Sequence, residues 1–522
     1  MKTRKIIALV IAAALALGTL YACTNVKAEQ PKEDAGTTDG NTAKPLDHDD
    51  SIVIAMENEP TTLNPYDHAA VPSGYMNQLT YNKLFRTDID TLEPIPDLCD
   101  TYENVDDSTW LFTVKQGVKF HDGTELTAED VKASMEYARN FTSASKYTSF
   151  WTNIEVVDTY TVKITTDGPY ALILNDLTAN GNTIVPKHLI DEGNDFAQNP
   201  IGTGPYKFVQ WTLGDNLTFV KNEDYFDKDH MPAITNMTWR IIPEGSSRTI
   251  ALETGEVDLV IDVDTADIER IKENPDINVI EKAGTRMSFM GINTERYPFD
   301  NLYFRKAISA AIDKEAVLTV ATNGQGAVSM SPNPEVFSGA TRENTIPYDP
   351  EQAQKYLDES GVDVSGLTFT CITYTDTTRR TAEVIQGYLA QIGVTMEIES
   401  MDFAAYLSNM LEGNFDAVIG GYTASDMLTY MKALWHSSSI GASNVPRVSD
   451  PEIDSLIDLA LTQLDPAEKT ATLEKVCARV NDQCLMISLY TSSVVRAYNS
   501  QLHGADVSAS GQMLYQDLNW AE

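Results

Sequence analysis

Basic residues are scarce in this chain of 522 residues: 38 Lys and Arg stand against 76 Asp and Glu, a formal net charge of −38. No basic stripe is available to replace phosphate counterions, which argues against nucleic acid as a partner. Cysteine is equally sparse. Besides Cys23 there are Cys99, Cys371, Cys477 and Cys484, with no C-x-x-C pair and no histidines at ligand spacing, so no metal or other cofactor is expected. Cys477 and Cys484, if joined by helix, lie about 10 Å apart, too far for a disulfide. Four free buried thiols are the expectation. Enzyme signatures are missing as well. Gly441–Val445 lacks the closing glycine of a nucleophile elbow, no H-E-x-x-H occurs among seven scattered histidines, and Gly324-Gln325-Gly326 lacks the third glycine of a dinucleotide loop. Carboxylates are too numerous for a catalytic pair to stand out, and nothing argues for an enzyme. After the N-terminus no apolar run reaches membrane length, so the body is expected to be soluble.

The N-terminus is different. Lys2, Arg4 and Lys5 precede an apolar run from Ile6 to Leu17, too short to span a bilayer comfortably, which reads as an export signal. Leu20-Tyr21-Ala22-Cys23 resembles the lipobox of bacterial lipoproteins, in which the cysteine is lipidated and becomes the first mature residue; plain secretion with cleavage nearby is the alternative. Residues 1–22 are thus a lipoprotein signal peptide and 23–50 a flexible tether, since Thr24–Asp50 holds almost nothing to bury. The implied location is the extracellular face of the cell membrane, lipid-anchored, on the periplasmic side where an outer membrane exists. From Ser51 a body of about 470 residues has length for roughly three domains. Its acidity either steers cationic ligands or serves solubility, and both readings stand.

Within the body, Trp110–Val114 alternates as a strand, Gly117 turns it, and Val118–Gly123 makes a second short strand ending in an Asp-Gly turn. Thr127 to Asp130 then cap a helix with Val131, Met135 and Ala138 inward. Gly202-Thr203-Gly204-Pro205-Tyr206 is a glycine-flanked turn leading into an aromatic strand through Trp211. Pro298-Phe299 precedes a helix from Phe304 to Asp313 that contains Arg305, Ala307 and Ile308. In this order and spacing the segments resemble the solute-binding proteins of ABC importers, specifically the large oligopeptide/dipeptide-binding family, over roughly residues 50 to 510. The resemblance implies an α/β, two-lobed periplasmic-binding-protein fold of the type II, large peptide-binding class with an extra inserted domain. By analogy, lobe one comprises 51–65, 183–285 and 495–522, the inserted domain 66–182, and lobe two 286–494. It also implies a monomer that closes on a solute and delivers it to ABC permease and ATPase subunits. Peptide is the leading ligand. A sugar, an opine-like compound or a metal chelate is the alternative, as is a peptide-sensing lipoprotein without transport.

The ligand site has a derivation independent of that likeness. Leu367–Tyr374, Val394–Ile398 and Phe415–Ile419 read as strands separated by helices over Thr377–Ile392 and from Asp402 to Leu411, a β-α-β-α-β unit that requires parallel strands. Ligands bind beyond the carboxyl ends of such strands. One loop there carries Arg379 and Arg380, placed either for an anion or simply for solvent. The other, Gly420 to Asp426, offers backbone at Gly421, an aromatic wall in Tyr422, and Ser425 and Asp426. Asp426 either pairs with a ligand ammonium or caps the next helix. The resemblance points to the same loop: peptide-binding members carry G-W-x-x-D-Y, and its aspartate falls on Ser425 by strict spacing, with Asp426 one place later. Ala69-Ala70-Val71, corresponding to the family's peptide-pairing strand, is a candidate for β-augmentation, and Phe403 for a pocket wall or a core aromatic.

Overall fold

The computed structural model describes residues 50–521 apart from Ala69 and Lys146; the expected signal peptide, Cys23 and nearly all of the expected tether lie outside the described residues. One sheet runs the length of the body. Its strands are β1 (Ser51–Met56), β2 (Tyr206–Thr212), β3 (Asn216–Lys221), β4 (Asn236–Ile241), β5 (Leu259–Val260), β6 (Ile277–Ile292), β7 (Thr368–Thr373), β8 (Thr395–Ser400), β9 (Ala417–Tyr422) and β10 (Met486–Asn499). The order is β8-β7-β9-β6-β10-β5-β1-β4-β3-β2, with Ala327–Val328 as an eleventh short strand on β10. Strand β7 is parallel to β8 and β9, as the β-α-β-α-β pattern requires, and β1 is parallel to β4 and β5. The antiparallel pair β6 and β10 joins these two halves. It is the longest pairing in the molecule, and its register shifts between Ala283 and Met287.

Separate apolar cores flank the sheet. Ile54, Leu217, Trp239, Leu259 and Tyr515 pack together on one half, and helix α1 (Val71–Thr80) joins them through Tyr75, Met76 and Leu79. On the other half Phe304, Ile308, Phe369, Ile385 and Leu389 form one core. Trp435, Leu434, Ile453 and Val476 form a second. A separate four-stranded antiparallel sheet, with Thr109–Val114 inside it, builds its own core from Phe112, Val131, Met135 and Val162. Each such side chain taken fully from water contributes roughly 1.5–3 kcal/mol. Among the described residues no helix is long and apolar enough to cross a membrane.

Local chemistry explains the helices around the future site. Thr375 and Thr378 form a capping box that starts α2 (Asp376–Gln391), and Gly393 at φ +77° ends the segment. Asp402 accepts from the Ala405 N–H at 3.0 Å and opens α3 (Phe403–Glu412). Asp426 opens α4 (Met427–Trp435). Earlier in the chain, Thr127 and Asp130 make the predicted capping box, and Val131, Met135 and Ala138 are buried. The predicted strand over Val118–Gly123 is reduced to a single bridge between Lys119 and Glu125, because the Asp122-Gly123 turn closes the segment too soon for a ladder.

The Gly202–Tyr206 turn is scaffold. A Cβ on Gly204 would lie 2.3 Å from the Leu79 carbonyl oxygen, so only glycine fits against α1. Burial lowers the His121 imidazole to about 4, and the neutral ring is 3.0 Å from the Gly204 carbonyl through Nε2. The thiols of Cys99, Cys371, Cys477 and Cys484 are buried and free.

Candidate functional site

The carboxyl ends of β7 and β9 open onto a cavity of about 400 Å3. Its walls are mostly aromatic and aliphatic: Phe289 of β6, Tyr374 after β7, Phe403, Tyr406 and Met410 of α3, and Tyr422 of β9. Tyr374 packs on Tyr406 at 4.5 Å between ring centroids and on Phe403 at 5.2 Å. Phe403 is 57% exposed, so its ring is left to the cavity mouth rather than spent in the core. The Tyr406 hydroxyl donates to the Ile419 carbonyl at 3.2 Å, and burial pushes its pKa above the ordinary phenol range. Gly420 and Gly421 permit this closeness. A Cβ on Gly420 would meet the Tyr406 hydroxyl at 2.8 Å, and one on Gly421 would meet the Arg286 guanidinium and the Met287 carbonyl, each at 3.0 Å.

Beyond Tyr422 the chain reaches Ser425 and Asp426. Asp426 caps α4: Oδ1 accepts the Thr429 N–H at 2.8 Å, and Oδ2 accepts the Thr429 hydroxyl at 2.7 Å and the Ser425 hydroxyl at 3.0 Å. A carboxylate has about four acceptor sites, so capping leaves capacity for one further donor. Asp176 is half-buried and accepts from the Tyr170 hydroxyl at 2.7 Å. Burial, reinforced by the Asp426 charge, raises Asp176 to about 7 despite the Tyr170 hydrogen bond and Lys432. The charge of Asp426 is thus felt at Asp176, in the segment around Tyr170. The Ala171 N–H of that segment donates to the Leu461 carbonyl at 2.9 Å.

The remaining candidates lie elsewhere. Arg379 pairs with Glu383 and Asp376 on its own helix, and Arg380 donates to the Ala321 carbonyl at 3.3 Å. Neither lines the cavity. Ala69 lies outside the described residues. Ala70 is the extended N-cap and Val71 the first residue of α1, with Pro72 in the opening turn. Proline favours that position because its missing N–H would be unsatisfied there anyway. Tyr374, Tyr406, Phe289 and Arg286 were not singled out in the sequence. Tyr374 ends a predicted strand and was within reach of that rule, whereas Arg286 depends on the register of β6, which no local pattern displays.

Comparison with known proteins gives a consistent picture. Residues 93–442 match the model of bacterial extracellular solute-binding proteins, family 5. The chain is 28% identical over 509 residues to the glutathione-binding protein GsiB of Pectobacterium atrosepticum, covering 94% of this chain and 98% of that one. Among solved structures, HbpA2 of Haemophilus parasuis superposes with a TM-score of 0.84 at 24% identity, covering 90% of this chain and all of that one. The periplasmic binding protein DppA of Helicobacter pylori, in complex with the peptide STSA, gives 0.71 at 25% identity, covering 90% and 98%.

Proposed function

Because the chain belongs to the bacterial extracellular solute-binding proteins of family 5, we propose that this ABC-importer binding protein captures short peptides between its lobes and hands them to a permease. The observation that carries this reading is the aromatic cavity at the carboxyl ends of β7 and β9, with the Asp426 carboxylate beyond it. Backbone groups and an adaptable apolar pocket suit ligands of varied side chain. GsiB is named for glutathione, a small peptide with one ammonium and two carboxylates, which supports a peptide-sized zwitterion. In this reading lobe one is 51–65, 183–285 and 495–522, the inserted domain 66–182 and lobe two 286–494. Strands β6 and β10 are the hinge. Contacts made only in the closed form shift the open–closed balance. Gly421, Tyr422, Ser425, Asp426 and Phe403 belong to the ligand site, with Asp426 receiving the peptide ammonium on its remaining acceptor site.

Cys23 is the lipid-bearing residue in this reading, and the intact mass of chain purified from membranes, with or without the acyl groups, decides it. The ligand reading is tested by calorimetry with a tripeptide carrying a free amine and its N-acetylated form. The wild type binds the free amine at least about tenfold more tightly, and Asp426→Ala removes that preference. Equal binding of both forms by the wild type would refute the ammonium role and leave Asp426 as a cap alone.

A further inference from the structure

Arg286 sits where the β6–β10 register shifts, one residue before Met287, which pairs with Tyr422 at the end of β9. Its side chain is exposed, and its guanidinium lies against Gly421, whose added Cβ would be 3.0 Å from Nη2 and 3.2 Å from Cζ. Gly421 also lines the aromatic cavity. Most arginines of this acidic body are already committed. Arg305 and Arg496 donate to backbone carbonyls, and Arg270, Arg342 and Arg447 to carboxylates. Arg286 has no hydrogen bond or ion pair among the described residues, although carboxylates outnumber cations twofold in the chain. Its charge is felt at the buried hydroxyl of Tyr406, which lines the cavity.

We propose that Arg286 is the receptor for a carboxylate of the bound ligand. A planar guanidinium offers two parallel N–H donors to a carboxylate, and that pairing gains strength when lobe closure removes water. Arg286 and the Asp426 carboxylate then present opposite charges to one ligand, so a zwitterion fits with its apolar side chain in the aromatic cavity. The location at the hinge matters. A carboxylate held by Arg286 touches β6, one of the two strands that join the halves of the sheet, so charge recognition and closure are coupled at the same residue.

The proposal rests on the peptide reading, and the test separates the two. Wild type, R286A and R286K are each offered a mixed tripeptide library with free C-terminal carboxylates and the same library as C-terminal amides, with bound species read by native mass spectrometry. The wild type should retain free acids over amides by about tenfold or more. R286A should lose that preference with an unchanged melting temperature, since the side chain is exposed, and R286K should keep part of it. A preference that survives in R286A, or a wild type that does not distinguish the libraries, overturns the proposal. A loss of affinity in R286A that is equal for acids and amides also overturns it, because that marks a latch between lobes. If the wild type binds neither library, 3-phenylpropanoate and its amide replace them. An acid preference lost in R286A then upholds Arg286 while the peptide reading fails, and no preference overturns Arg286 as well.

Discussion

Asp176 carries a measurable consequence of its surroundings. Its carboxyl is raised from an ordinary 3.8 to about 7, first by burial and then by the Asp426 charge. Between those values the folded chain holds a proton that the unfolded chain has lost, so this group makes stability fall as pH rises through the window, with no further change above about 7. Asp176→Asn should therefore flatten the melting-temperature profile between about pH 4 and 8 and raise the alkaline end. Parallel profiles for variant and wild type would contradict the placement. Such a pair was not legible in the sequence, because Asp176 and Asp426 are brought together only by tertiary packing among many carboxylates. Asp426 itself was legible as a cap or an anchor, and its three hydrogen bonds realise the first role while leaving an acceptor for the second. Arg379 and Arg380 read as placed either for an anion or for solvent; Arg379 pairs with Asp376 and Glu383 on its own helix, and Arg380 donates to the Ala321 carbonyl.

Elements were the most readable scale where local signals agreed. Capping residues, a stop glycine and period-3.6 burial located α2 and its flanking strands to within about two residues, the usual uncertainty of element ends. Where tertiary pairing decides, local pattern failed. The helix at Val71 and the 16-residue strand β6, with its register shift, have no local counterpart in the sequence. The Gly202–Tyr206 turn belongs to the readable class, and its glycines are dictated by contact with α1. Gly204→Ala would drive a methyl into the Leu79 carbonyl, at 2.3 Å before relaxation. It should cost about 2–3 kcal/mol in urea unfolding. A change under about 0.5 kcal/mol, typical of uncrowded surface positions, would mean that the turn packs differently.

At the scale of the whole molecule, one continuous sheet links two sets of cores through β6 and β10. The aromatic cavity lies beside that link through Phe289 of β6; Arg286 is on the same strand, and Asp426 caps α4 after the cavity-lining Tyr422. In so acidic a chain, with 38 Lys and Arg against 76 Asp and Glu, a guanidinium without a carboxylate partner among the described residues is notable beside the cavity-lining Gly421. In the proposed reading this cleft holds a short zwitterionic peptide. The most direct measurement is native mass spectrometry of the chain purified without added ligand, followed by release and sequencing of whatever accompanies it. The expected result is a bound mass that fragments as a short peptide with a free ammonium and a free carboxylate. A sugar or metal chelate in its place, not displaced by a tripeptide library, would contradict it.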